Sequence, residues 1–139
     1  MTTSVDGLVV IESAFGAKET IDRLAEAVAQ LGMSVVARVD HARAATSAGL
    51  SLRPTEVLIF GNPKVGTALM QAAQTIGIDL PLKALAWQDE HEKTWLGYND
   101  PTWLAERYGI AAETDHALAL MSKALSAAAA RATADNQTR

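Results

Sequence analysis

The chain predicts a single domain mixing strands and helices, with the elements in the order β-α-β-(short α)-β-α-β-β-α-α. Three observations carry this expectation. Its 139 residues, 49% hydrophobic and 20% charged, suit one substantial core. Short β-branched runs such as Leu8-Val9-Val10-Ile11 alternate with stretches whose apolar residues recur at helical spacing. Gly and Asn-Pro punctuation falls where those patterns change.

In chain order, Val5 to Glu12 reads as the first strand. From Ala17 the period becomes helical, with Ile21, Leu24, Val28 and Leu31 on one face and Gly32 where a left-handed cap ends the helix. Met33 to Val39 is a second strand. Asp40 is placed to cap a two-turn helix over His41 to Ala48, because its carboxylate can accept the free amides of a first turn. Thr55 to Phe60 is apolar on both alternating faces, which predicts a central strand. Asn62 then reads as an N-cap and Pro63 as the first residue of a helix whose stripe runs through Val65, Leu69 and Ile76 to Gly77.

Leu80 to Trp87 and Thr94 to Tyr98 flank a charged tip and read as a hairpin. Asn99-Asp100-Pro101 starts a short helix through Tyr108. Thr114-Asp115 is expected to cap the last helix, with Leu118, Met121 and Leu125 as its buried stripe. Arg131 to Arg139 lacks apolar anchors and reads as a frayed end, so the domain is drawn over residues 1–132 and a tail over 133–139.

Composition narrows the function classes. A net charge of -4, from 12 Lys plus Arg against 16 Asp plus Glu, offers no basic field for a phosphate backbone, so nucleic acid is not an expected partner. With no Cys and three scattered His, no metal site and no cofactor are expected. No apolar run is long enough to span a bilayer, and the N-terminus lacks an export signal pattern, which together predict a cytoplasmic protein without membrane partners.

The spacing Gly61-x-x-x-x-Gly66-Thr67 opens like a phosphate-binding loop and then departs from it. Thr67 and Ala68 stand where Lys and Ser or Thr are needed. What remains is an Asn-capped helix start beside Lys64 that suits a small anion or carboxylate. His41 opens a short helix and is the candidate general base, with Arg53 or Asn62 placed to hold a developing anion and Glu56 able to act as an acid or base. Arg53 could clamp a carboxylate, and Thr55 and Glu56 stand beside it at the strand entrance. Trp87, Trp95 and Trp103 suit core packing or the wall of an apolar cavity, and Tyr98 with Asn99 ends a strand.

Asp40-His41, Gly49, the run Leu52-Arg-Pro-Thr-Glu-Val-Leu-Ile-Phe-Gly-Asn-Pro63, Gly66-Thr67, Asp79-Leu-Pro-Leu-Lys83, Trp87 and Tyr98-Asn99 together resemble the domain of unknown function family 302 over about residues 5 to 110. The resemblance implies a curved antiparallel sheet of about five strands with helices on one side, in the manner of the TATA-box-binding-protein fold, and a homodimer. Fold likeness of that kind does not imply DNA binding. The resemblance also raises His41, Arg53, Thr55, Asn62 and Thr67 as one polar cluster. Three functions are then expected in order: binding a small organic ligand or anion between sheet and last helix, with Arg53, Thr55, Asn62, Thr67, Trp87 and Tyr98 around it; cofactor-free proton transfer or isomerisation with His41 as base; and a structural dimerisation module.

Overall fold

The structure is a computed structural model that describes residues 4–135. Five strands form one antiparallel sheet in the order β1-β5-β4-β3-β2. They are β1 (Leu8–Ser13), β2 (Ser34–Asp40), β3 (Thr55–Gly61), β4 (Leu82–Gln88) and β5 (Thr94–Asn99). The helices are α1 (Ala17–Gln30), α2 (His41–Ser47), α3 (Pro63–Ala72), α4 (Pro101–Arg107) and α5 (Asp115–Thr133), with a 3-10 helix over Gln74–Asp79.

Strands β1 and β2 are consecutive but occupy opposite edges, so α1 must cross the whole sheet. Its 14 residues span about 21 Å at 1.5 Å each. Four interstrand steps of about 4.8 Å need about 19 Å. Length and width match, and Ile21, Leu24 and Val28 bury against the sheet along that diagonal. Helix α5 lies beside α1 and buries the small Ala128, Ala129 and Ala132 in the core.

On β3 the helix side carries Glu56, Leu58 and Phe60, and β4 adds Leu82, Ala84 and Ala86. Phe60 and Leu58 are fully buried, each contributing about 1.5–3 kcal/mol by leaving water. Among the described residues no element covers the other side of the sheet. Val57, Ile59, Leu85, Trp87 and Trp95 stand there half-buried by one another.

Several expectations need correction. β4 is the central strand, and β3 sits between it and the edge strand β2. The helix after Pro63 stops at Ala72 because Ala73 turns extended, and Ile76 reaches the core from the 3-10 helix instead. Thr114 precedes α5 without a side-chain cap: its hydroxyl is turned back to donate to the Ile110 carbonyl at 2.6 Å and accepts nothing from the first turn. Helix α5 runs to Thr133, with Ala132 and Thr133 buried, which carries order beyond the expected domain limit at residue 132; residues 136–139 of the expected tail lie outside the described residues.

The hairpin tip is closed by one side chain. Asp89 accepts hydrogen bonds from the Trp95 indole at 2.8 Å and from the amides of His91 and Lys93 at 2.8 and 3.0 Å. The indole donor above all, with the two amides, holds the Asp89 carboxyl at about 2 against an ordinary 3.8. A carboxyl depressed on folding stabilises the fold above its unfolded value and loses that contribution as pH falls through the folded one. Asp89→Asn should therefore lower the melting temperature at neutral pH, with the gap to the parent chain narrowing from about pH 4 and closing near pH 2. A gap independent of pH in thermal melts would refute the assignment.

Candidate functional site

Strand β3 divides the residues singled out from the sequence. His41, Arg53 and Thr55 lie at its entrance, and Asn62 and Thr67 follow its exit. Seven extended residues separate the two ends by about 20 Å. The single polar cluster expected around His41 is thus not assembled, because the motif that joins these residues in sequence is itself a strand. His41 and Arg53 are exposed, and the Thr55 hydroxyl is committed to the Arg53 carbonyl at 2.8 Å. Asp40 caps α2 as expected, accepting from the Arg43 amide at 2.9 Å.

The tryptophans are also displaced from their expected role. Ala86 and Leu96 face the helices and are fully buried, so their neighbours Trp87 and Trp95 project from the opposite side, where they pair directly across β4 and β5. They cannot line a cavity between the sheet and α5. Trp87 lies over Gly97, at which a Cβ would come within 3.0 Å of the ring. Tyr98 does face the helices, packed at the core margin opposite Ala84. Burial first, and the Asp100 carboxylate second, push its phenol above the ordinary 10.0.

At the exit of β3 the chain builds a cleft. Asn62 accepts from the Lys64 amide at 3.0 Å, and Pro63 begins α3, so the helix leaves the sheet sharply. The space this leaves between α3, the 3-10 helix and the ends of β2, β3 and β4 is a pocket of about 280 Å3. Met70, Leu80, Pro81, Leu82 and Met121 give it apolar walls, while Ser34, Asn62 and Thr67 supply polar groups. A second pocket of about 490 Å3 lies between α3, the end of α1 and α5. Asn62, Leu82 and Met121 border both. The sequence places a cavity between the sheet and the last helix but gives no sign that Met121 borders it. Met121 belongs to a stripe at ordinary helical spacing, and only the departure of α3 exposes its flank.

The site is more apolar than an anion cradle. Gly66 faces these walls with room to spare: a Cβ there would stand 3.9 Å from Leu80 Cδ1 and 4.0 Å from Met70 Cε, in ordinary contact. Among the described residues no group of three His, Cys, Asp or Glu side chains is placed to hold a metal ion.

Comparison with known proteins gives a consistent family. The family described as "Domain of unknown function DUF302" matches residues 9–128. A solved structure described as that of an uncharacterized conserved protein DUF302 from Bacillus stearothermophilus superposes with a TM-score of 0.81 at 25% identity, covering 92% of this chain and 99% of that one. Two curated relatives carry the name "Fluoride-specific ion channel FluC 1". The one from Brucella suis is 50% identical over 122 residues, covering 87% of this chain and 48% of the relative. That from Brucella abortus is 50% identical over 122 residues, covering 87% of this chain and 45% of the relative. The chain spans about half the length of the curated relatives it matches.

Proposed function

The chain belongs to the DUF302 family, and from that premise we propose that it binds a small organic ligand in the cleft at the exit of β3. One observation carries the reading: the two pockets share Asn62, Leu82 and Met121 and combine apolar walls with a few polar groups. Their volumes fall about the range of roughly 300–1,000 Å3 common for small-molecule sites. Asn62 and Thr67 are the expected binding residues that this reading keeps. The base-catalysed alternative loses its support, since His41 stands a strand length from the cleft.

The conduction named in the Brucella relatives is not carried over to this chain. No helix among the described residues is long and apolar enough to cross a membrane. We propose that the matched half of those relatives is a companion binding domain and that conduction belongs to the other half. A cytoplasmic location completes this proposal, and fractionation of cells expressing the full-length gene checks it.

Gly66 supplies the test. Gly66→Ala should raise stability by about 0.5–1 kcal/mol through helix propensity, because its Cβ meets nothing closer than 3.9 Å. Gly66→Phe should fill the pocket, keep the far-ultraviolet circular dichroism of the parent and abolish the thermal stabilisation given by ligands found in a metabolite screen. Equal stabilisation of parent and Gly66→Phe would refute the site, as would a broad screen, with mass spectrometry of the purified chain, that finds no ligand.

A second reading, self-association, is favoured by the uncovered sheet side with Ile59, Leu85, Trp87 and Trp95, and by the exposed edge strand β2. Ile59→Lys should convert a dimer to a monomer in light scattering. A monomeric parent chain would remove this reading.

A further inference from the structure

The two pockets differ in charge in a way that names a ligand class. Among the described residues the pocket beneath α3 is bordered by no charged side chain. The pocket beside α5 adds Lys123 and Arg131, and among the described residues no Asp or Glu borders either one. This is a marked local imbalance in a chain whose acidic residues outnumber its basic ones by 16 to 12. Along α5, Lys123, Ala127 and Arg131 recur every four residues and therefore share one face. Between the two cations the small Ala124 and Ala127 leave the groove floor low. Among the described residues neither cation is in an ion pair; the Arg131 guanidinium donates to the Gln30 side-chain oxygen at 3.4 Å.

We propose, resting on the ligand-binding reading above, that the cleft takes an alkyl carboxylate lying across both pockets. The alkyl chain occupies the uncharged pocket between Met70, Leu80 and Met121, where two flexible thioethers adapt to an unbranched chain. The chain crosses beside Asn62 and Met121, which border both pockets, and the carboxylate meets Lys123 and Arg131. An alkylammonium ion of equal length finds no counter-charge there, and an alcohol finds the same apolar walls without the charge pairing.

Isothermal titration of the whole chain with decanoate, decanol and decyltrimethylammonium tests this. Decanoate should bind at least about tenfold more tightly than decanol, and the cation should not bind. Added salt should weaken decanoate and leave decanol unchanged. Lys123→Gln with Arg131→Gln, both exposed positions, should bring decanoate to the affinity of decanol while the melting temperature holds. Decanol equal to decanoate, or a double variant that still prefers decanoate, overturns the carboxylate assignment and leaves the apolar cleft standing. No binding of decanoate or decanol, in the parent and Gly66→Phe alike, overturns the carboxylate assignment; if the metabolite screen is also empty, the cleft reading falls with it.

Discussion

Arg38→Ala should destabilise the fold by about 2–4 kcal/mol, although Arg38 lies on an edge strand with its side chain 31% exposed. The reason is the group it covers. Glu56, on β3, is 8% exposed and faces the underside of α1, and Arg38 Nε donates to its carboxylate. The same guanidinium reaches Asp22 at 2.7 Å and the Lys18 carbonyl at 3.3 Å, tying α1 to the β2 edge. Removing it leaves a buried carboxylate without its cation, which costs more than the pair contributes. The partial exposure of Arg38 puts the expected cost below that of a wholly buried pair. Arg38→Met with Glu56→Leu should recover most of the loss, because apolar groups of similar volume need no counter-charge. Urea denaturation of the parent, both single variants and the double variant gives the coupling directly. Additive single effects would show that the pair is incidental.

The pH dependence of this network has a definite sign. Burial works to raise the Asp22 carboxyl, but hydrogen bonds and charge from Lys18 and Arg38 outweigh it and hold the group below the ordinary 3.8. Its contribution is therefore present above 3.8 and is lost as pH falls through the lower folded value. In Arg38→Ala that acid-sensitive component should shrink.

Gly7→Ala should cost about 2–5 kcal/mol for two separable reasons. Gly7 has φ of 77°, in the left-handed region, where a Cβ costs about 1–2 kcal/mol. A Cβ there would also stand 2.2 Å from Trp103 Cδ2, so the indole must leave its seat on the backbone before β1. Displacing a packed ring adds about 1–3 kcal/mol. The Gly7 carbonyl accepts the Asp100 amide at 2.7 Å, so the strain bears on the start of α4. Trp103→Ala in the Gly7→Ala background should recover the steric part and leave the backbone part. Tryptophan fluorescence will show whether the ring has moved to water. A Gly7→Ala chain as stable as the parent would contradict both terms.

Much of the local structure was legible from single residues. Asp40 and Asn62 cap the helices they precede, since each side chain reaches an amide two or three residues on and needs nothing from elsewhere. Gly32 takes the left-handed conformation expected after α1. The limits of α3 and α5 were not legible. Alanine is a strong helix former everywhere, so Ala73 and Ala132 look alike in sequence, yet one is extended beyond its helix and the other is fully buried within one.

The candidate site shows the same division. Asn62 and Thr67 stand out because an N-cap followed by Pro63 is a local signal, whereas Met121, Lys123 and Arg131 reach the cleft from a helix that starts only at Asp115. His41 and Arg53 were drawn toward Asn62 by a shared motif, and the extension of β3 holds them apart. The sequence by itself determined the order of the main elements, the Asp40 and Asn62 caps and the family, because those depend on period, hydrogen-bonding reach and motif. Only the tertiary structure decided which strand is central, which sheet side stays open and where the cleft lies. Those depend on α1 crossing from one edge of the sheet to the other, a contact between residues that no local pattern connects.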